Sequence, residues 1–195
     1  MKYPEQLKEK FLAICASEIH REGFDKFLVW LNKSDFFTAP ASTKYHGNYE
    51  GGLCEHSLNV YECLKAFLQK YPELNISPES VAISALFHDI CKVNYYKIGF
   101  KNVKDEETGT WSKKEIYEIE EKFPCGDHAD KSIIILQSYI KLLPEEILAI
   151  RAHMGGWDNA SKGGSSVISK IFDSNKFAVL LHLADMEATY LKERK

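Results

Sequence analysis

The chain has 195 residues, of which 45% are hydrophobic and 27% are charged, and its formal net charge is -3. This composition is ordinary for a soluble globular protein, with one domain as the default for the length. The slight negative charge argues against a nucleic-acid coat protein and against a protein that binds anionic membranes. Small anionic substrates stay open, because the charge at a site can oppose the net charge.

The cysteines and the N-terminus bear on the cellular compartment. The five cysteines are scattered and none forms a C-x-x-C pair, which favours free thiols in a reducing cytosol over a disulfide framework. Residues 1–5 contain no apolar stretch of the kind that a secretory signal needs. The longest apolar runs are too short for a membrane span. We therefore expect a cytoplasmic protein without a membrane partner.

The first half of the chain has mostly helical periodicity. Gly23 interrupts the pattern, and Ser77 before Pro78 is a typical N-cap followed by a first-turn proline. Residues 34–49 are rich in small, polar and proline residues and are predicted to be a loop. In chain order, helices are predicted at residues 4–21, 24–31, 53–69 and 77–90.

The second half begins with a break in this pattern. Between residues 95 and 119, aromatic and β-branched residues flank a glycine-containing turn, which predicts a β-hairpin. Helical periodicity then returns at residues 128–142, 144–153, 167–172 and 177–191. The sequence therefore predicts an all-α fold, a single helical bundle with a small inserted β-hairpin.

The adjacent pair His88-Asp89 carries the strongest chemical signal. It ends a helix whose preceding turns are almost wholly apolar, and Asp185 likewise follows an apolar helical segment. A buried charge is costly unless it is paired or binds a metal, and two buried acids repel each other unless cations lie between them. A divalent metal meets both requirements, and mixed imidazole and carboxylate ligands suit Mn, Fe, Co, Ni or Zn.

Further histidines lie beside small, acidic or glycine residues near predicted helix ends: His56, His128 and His153. Any one of them alone is more often a surface histidine or a hydrogen-bonded core histidine. The ordered set is more informative, because each member has polar or glycine neighbours that favour a site. His20 and His182 are interpreted as structural, although His182 lies one helical turn before Asp185.

The ordered set resembles the HD-domain superfamily of metal-dependent phosphohydrolases, whose motif is a His, a His-Asp pair and a distant Asp. His56, His88-Asp89 and Asp185 match this order, and His128 with His153 match the two extra histidines of the subset with binuclear sites. The segment His88-Asp89-Ile90-Cys91-Lys92 is similar to the common His-Asp-Ile-Gly-Lys form, with Cys91 in place of the glycine. Met-Gly-Gly-Trp follows His153 where the HD-GYP subset has Gly-Tyr-Pro, which argues against hydrolysis of cyclic dinucleotides.

The resemblance implies a domain organisation and a set of site residues. Residues 1–195 would form a single HD domain, with N-terminal helices and a loop at 1–45, a metal-binding core at 46–191 and the hairpin at about 95–119. Two divalent transition metal ions would be bound by His56, His88, Asp89, His128, His153 and Asp185, with Asp89 bridging them. Asp89 and Lys92 would be catalytic. Apart from the resemblance, His46, Lys131, Arg151 and Lys162 are candidates for binding the substrate.

The function that the resemblance implies is hydrolysis of a phosphate ester or phosphodiester, in a small substrate such as a nucleotide, by a metal-activated hydroxide. Nucleic acid is a less favoured substrate. Trp111, Trp157, Tyr95 and Tyr96 are candidates for stacking on a base. Two alternatives stay open at this point: a diiron oxygenase of the same fold, and a non-catalytic, metal-stabilised sensing or binding domain.

Overall fold

Helices make up most of the computed structural model, which describes residues 3–193. The α-helices are α1 Tyr3–Glu18, α2 Phe24–Lys33, α3 Gly52–Lys70, α4 Pro78–Phe87, α5 His128–Gln137, α6 Pro144–Ala152, α7 Asn159–Lys162, α8 Val167–Ser174 and α9 Lys176–Glu187. Short 3-10 turns lie at Pro72–Leu74, Ile90–Lys92 and Gly155–Trp157, and a π-helical turn follows α9 at Ala188–Lys192. Two strands, β1 Tyr96–Lys104 and β2 Trp111–Ile119, complete the fold. The predicted all-α class with a small hairpin is confirmed.

Helix α4 lies in the middle of the bundle. Ser77 caps it by accepting a hydrogen bond from the Ser80 N–H at 3.0 Å, and Pro78 occupies its first turn. Residues 80–87 are buried on every face of the helix, as expected for a helix without a polar stripe. Helix α3 packs against α4 and α9, and α9 packs against α6. The C-terminus of α4 therefore ends in the interior of the protein.

Aromatic side chains join the N-terminal helices to this bundle. The ring of Phe87 lies edge-on to Phe11 of α1 at 5.6 Å and to Phe27 of α2 at 4.9 Å between centroids. All three side chains are fully buried. Edge-to-face pairs add stabilisation beyond the burial of the rings. Helices α1 and α2 thus share one hydrophobic core with the helices that follow them.

The β-hairpin lies largely outside this core. Its strands pair antiparallel from Tyr96 opposite Ile119 to Lys104 opposite Trp111, and most of its side chains are exposed. Near its base, the Tyr96 hydroxyl donates a hydrogen bond to the Ala41 carbonyl at 3.3 Å. Among residues 3–193, no helix combines the length and apolar character that crossing a membrane requires.

Several helix ends differ from the sequence-based prediction. Helix α1 stops at Glu18 instead of near residue 21, α4 stops at Phe87 instead of near residue 90, and α5 stops at Gln137 instead of residue 142. After α5, Ile140 and Leu142 are buried although they are no longer helical. Apolar periodicity continued past the true ends because these segments also face the core.

An ion-pair network ties the turn between α1 and α2 to helices α4 and α6. Arg21 donates to Glu146 at 2.5 Å and to Glu79 at 2.9 Å. The Glu146 side chain is fully buried and also accepts hydrogen bonds from the Ser80 hydroxyl at 2.8 Å and the Leu143 N–H at 2.7 Å. Arg21 therefore supplies the positive charge that this buried carboxylate needs.

We expect Arg21→Met to lower the free energy of unfolding by about 3–5 kcal/mol, because it leaves a buried carboxylate without a counter-charge. Urea denaturation measures the change. The control Lys10→Met breaks the exposed ion pair between Lys10 and Glu62, and it should change stability by at most about 0.5 kcal/mol. The double variant with Glu146→Gln should regain part of the loss. A change below about 1 kcal/mol for Arg21→Met would contradict this account.

Candidate metal centre

The residues of the candidate site come from the ends of five helices. His88 and Asp89 follow directly after α4, and both are buried. His56 lies near the start of α3 and is also buried. His128 opens α5, His153 follows α6, and Asp185 lies in the last turn of α9.

The start of α3 depends on a pair of glycines. Gly51 has a φ of 83°, in the left-handed region that favours glycine. A Cβ atom on Gly52 would lie 2.0 Å from the carbonyl oxygen of Gly47. This close backbone contact lets α3 begin against the 43–50 loop and directs His56 towards the interior.

The histidine rings are oriented by hydrogen bonds at Nδ1. The Nδ1 atom of His88 lies 2.8 Å from the Ala85 carbonyl oxygen, and that of His153 lies 2.7 Å from the Ile150 carbonyl oxygen. A carbonyl oxygen only accepts, so Nδ1 donates in both rings and the Nε2 lone pair is the one left for a ligand. Such partners fix both the tautomer and the direction of a metal-binding imidazole.

These Nε2 atoms converge with the carboxylates. The Nε2 atom of His56 lies 3.2 Å from that of His88 and 3.3 Å from Oδ1 of Asp185. The Asp89 carboxylate lies near two further Nε2 atoms: Oδ2 is 3.6 Å from Nε2 of His88, and Oδ1 is 3.5 Å from Nε2 of His153. His128 also contacts Oδ1 of Asp89 through its Nε2 atom.

The charges at the site shift its pKa values strongly. Burial alone would raise the pKa of Asp89, but the positive charges of Lys92 and His128, together with the hydrogen bond from His128, hold it well below its usual value. Burial likewise opposes the charge on His56, yet the carboxylates of Asp185 and Glu193 raise its pKa to about 10. Protons on imidazole nitrogens therefore offset the negative charge of the carboxylates. A divalent cation would compete with these protons for the nitrogen lone pairs.

The donor set fits divalent metal ions. The Nε2 atom of His153 is buried and has no hydrogen-bond partner among the described residues. The ligand atoms of three overlapping groups each lie within 4.8 Å of one another: His56, His88 and Asp185; His88, Asp89 and His153; and Asp89, Cys91 and His128. The residues predicted from the sequence to bind metal thus lie together, with Asp89 common to two of the groups.

A cavity of about 510 Å³ opens onto this cluster. Its lining includes Asp89, Lys92 and His46, and also His182, which the sequence analysis interprets as structural. Burial lowers the pKa of His46 to about 4, so this ring is neutral at pH 7. The other lining residues are Tyr45, His128, His153, Met154, Trp157, Asp185, Met186, Thr189 and Tyr190.

The cations predicted to bind substrate are arranged differently. Lys92 lies in the cavity and donates to Oδ2 of Asp89 at 2.6 Å. Lys131, Arg151 and Lys162 are not among the lining residues. Lys131 pairs with Glu121, and Arg151 pairs with Asp130 at 2.9 Å and with Asp158. The structure does not bring these three cations to the cavity, and their role in binding substrate stays a prediction.

Glu193 is a contributor that the sequence analysis missed. Its Oε1 atom lies 3.1 Å from Nδ1 of His56 and accepts a hydrogen bond from the Asn59 amide at 3.0 Å. Its side chain is 2% exposed. Glu193 follows the π-helical turn, and the sequence pattern indicates no buried position there.

Helices that place a buried His-Asp pair beside further histidines and a distant aspartate define the HD-domain class. The HD domain family model matches residues 53–190, and the chain belongs to this family. Among curated proteins, it is 30% identical over 89 residues to the 3'-5' exoribonuclease YhaM of Geobacillus sp. (strain WCH70), covering 46% of this chain and 26% of that protein. It is 27% identical over 122 residues to the dihydroneopterin 2',3'-cyclic phosphate phosphodiesterase of Methanocaldococcus jannaschii, covering 60% of this chain and 42% of that protein. The matches thus span less than half of either relative, and no solved structure gives a significant match.

We expect Glu193→Ala to weaken Zn²⁺ or Mn²⁺ binding by about 10–100-fold, because His56 loses the acceptor that fixes its ring. Glu193→Gln, which keeps an acceptor oxygen without the charge, should have a smaller effect. Calorimetric titration of metal into the metal-free protein measures both. The control is Glu62→Gln, which changes another acid whose carboxylate pairs with Lys10 at the surface. Equal affinities for the parent and Glu193→Ala would show that this carboxylate does not support the centre.

Proposed function

We propose that this chain is a metal-dependent phosphohydrolase that cleaves a phosphate ester or phosphodiester of a small substrate, in particular a nucleotide. The observation that carries the proposal is the convergence of the histidine Nε2 atoms on the carboxylates of Asp89 and Asp185. The names of both curated relatives describe enzymes that cleave phosphodiester bonds, which supports the same reaction class.

The proposed ligand set divides into two halves that share Asp89. His56, His88, Asp89 and Asp185 would hold one divalent cation, while His128 and His153 would hold a second one together with Asp89. Two cations bound there would supply a hydroxide nucleophile at neutral pH and would neutralise charge on the phosphoryl group. The protein residues orient these ligands: the Ala85 and Ile150 carbonyls fix His88 and His153, and Glu193 fixes His56.

Lys92 is the cation best placed to act on the substrate. It lies in the cavity, and Asp89 accepts one of its hydrogen bonds at 2.6 Å. An ammonium group has three donors, so others can reach a phosphate oxygen. Burial disfavours the charged form, but Asp89 raises the pKa of Lys92 above its ordinary value. Lys92 therefore serves as a fixed positive charge and hydrogen-bond donor, and not as a base.

The shape of the cavity supports a substrate with an apolar, planar part beside its phosphate. A volume of about 510 Å³ is in the range of small-ligand sites. The wall of the cavity also includes Met154, Trp157 and Met186. A purine or pyrimidine could stack on Trp157 while its phosphate reaches Lys92, with neutral His46 as a further hydrogen-bonding group.

The reaction is tested with nucleoside monophosphates, cyclic nucleotides, short oligonucleotides and simple phosphate esters, each with Mn, Co, Ni, Zn or Mg. We expect metal-dependent hydrolysis of at least one nucleotide, and loss of it in Asp89→Asn. The product identifies the bond that is cleaved and separates phosphomonoesterase from phosphodiesterase activity. Absence of hydrolysis across the panel by the metal-loaded protein would refute the proposal.

Lys92→Met should lower kcat by about 10²–10³-fold, as expected when a donor to developing negative charge is removed. Metal content must stay at the parent level, which separates loss of this donor from loss of the ions. Lys170→Met, at an exposed position of α8, is the matched control and should leave kcat unchanged. An unchanged kcat in Lys92→Met would remove the lysine from the mechanism.

Trp157→Ala should raise the KM for the preferred nucleotide by roughly 5–100-fold, because stacking of a base on an aromatic ring contributes about 1–3 kcal/mol. The KM for a phosphate ester without a base should change little. Trp111, which is 70% exposed beside the hairpin turn and outside the cavity lining, provides the comparison. Equal effects of Trp157→Ala on both kinds of substrate would argue against stacking.

A further inference from the structure

We propose that Cys91 supplies a thiolate ligand on the Asp89–His128 side of the metal centre and so biases this position towards thiophilic divalent metals such as zinc. The inference rests on the metal centre of the proposed function. It adds to that centre a residue that the resemblance does not assign, because the common form of the motif has glycine at this position.

The position of Cys91 is fixed by the turn that follows Asp89. Cys91 lies in the middle of the 3-10 turn Ile90–Lys92, and its N–H donates to the Ser132 hydroxyl of α5 at 3.2 Å. Its side chain points to the first residue of the same helix, with Sγ 3.2 Å from Nδ1 and 3.7 Å from Nε2 of His128. The residue is 9% exposed. The sulfur is therefore held against an imidazole of the proposed centre.

The distances allow one ion to reach both side chains. Ligand atoms of Asp89, Cys91 and His128 all lie within 4.8 Å of one another. A Zn–S bond of about 2.3 Å and a Zn–N bond of about 2.0 Å span roughly 4.3 Å when laid end to end. The separation of 3.7 Å between Sγ of Cys91 and Nε2 of His128 is shorter than this limit. Cysteine, histidine and aspartate are each side chains that bind zinc in proteins.

The side chain of His153 is a second, independent indication of a ligand next to Asp89 and His128. Its Nε2 atom is buried, has no hydrogen-bond partner among residues 3–193, and lies 3.5 Å from Oδ1 of Asp89. The same carboxylate oxygen contacts Nε2 of His128. Because the Nδ1 atom of His153 donates to the Ile150 carbonyl, its free lone pair is on Nε2, the atom near the carboxylate oxygen shared with the Cys91 group. An unpartnered, buried imidazole nitrogen in this position is the chemistry of a metal ligand.

Binding through sulfur has a defined proton balance and a defined consequence. The Cys91 thiol gives up its proton to solvent, the S–H bond is replaced by a metal–sulfur bond, and no electrons are transferred. The thiolate adds one negative charge and a soft donor, which favours zinc and cobalt over magnesium and manganese. The other cysteines belong to none of the potential metal-binding groups found among the described residues. Cys15, Cys54 and Cys63 lie in the hydrophobic core, and Cys125 is exposed.

The test is titration of the full, metal-free chain with Co²⁺, monitored by absorption, together with a count of bound ions. A Co²⁺–thiolate bond gives a charge-transfer band in the near ultraviolet that nitrogen and oxygen ligands do not give. We expect this band in the parent protein and in the control Cys125→Ser, and its loss in Cys91→Ser and Cys91→Gly. We also expect Cys91→Gly to weaken Zn²⁺ binding by about 10-fold or more, with a smaller change for Mn²⁺. Circular dichroism confirms that the variants are folded.

Each outcome either supports or contradicts thiolate ligation by Cys91. Bound Co²⁺ without the band in the parent overturns thiolate ligation while leaving the proposed metal centre intact. A band that persists in both Cys91 variants also overturns it. Weaker Zn²⁺ binding in Cys91→Gly without any band in the parent means that the sulfur acts only as a hydrogen-bond acceptor for His128, which again contradicts the proposal. A parent protein that binds no metal refutes both this inference and the proposed function.

Discussion

Two carboxylates at the ends of apolar helices set the main constraint on this molecule. Asp89 follows α4, which is buried on every side, and Asp185 ends the run of α9 that packs between α3 and α6. An anion in such surroundings is stable only when positive charge and hydrogen bonds lie next to it. Lys92 and the imidazoles of the site meet this requirement for Asp89. The ends of five helices meet at the place where these opposite charges lie next to one another.

The histidines of the site are oriented in two different ways. His88 and His153 each donate to the carbonyl three residues earlier in their own helices, so their directions are set locally once α4 and α6 form. His56 instead has its Nδ1 atom against Glu193, 137 residues away in sequence, and His128 lies against Cys91. These two orientations depend on tertiary packing, which makes the π-helical turn after α9 and the 90–92 turn part of the site. Changes in the π-helical turn should therefore affect the ligand geometry without touching a ligand.

This difference also explains how much of the site the sequence predicts. His88-Asp89 and Asp185 stand out because a polar group directly follows an apolar helical run, and that pattern is local. Glu193 has no such pattern, since its burial arises only when the chain turns back onto α3. Lys131 and Arg151 are candidates for binding phosphate because of their charge, but whether a cation is available to a substrate depends on its ion-pair partners. Glu121, Asp130 and Asp158 occupy these two side chains, and nothing in the linear sequence indicates that pairing.

Helix class was predictable for a related reason, while helix ends were not. The period of apolar residues reports which face is buried, so the bundle and the hairpin follow from the sequence. The same signal continues through Ile140 and Leu142, which are buried after α5 has ended. At such places residues stay buried after the helix has ended. The early end of α4 has the largest effect on the candidate site. It allows residues 90–92 to form a tight turn, in which Cys91 contacts His128 and Lys92 contacts Asp89.

The charge of Lys92 bears on the choice between hydrolase and oxygenase chemistry. Asp89 keeps this lysine protonated, so the cavity carries a permanent ammonium group beside a centre that would hold two divalent cations. Two divalent cations and this ammonium group would carry more positive charge than the carboxylates of Asp89, Asp185 and Glu193 offset, so a ligand that brings further negative charge would be favoured. Dioxygen and neutral organic substrates bring none, whereas a phosphate ester brings one or two negative charges together with oxygens that accept hydrogen bonds. These charges agree with the phosphorylated substrate of the proposed function, on grounds separate from the identity of the metal ligands.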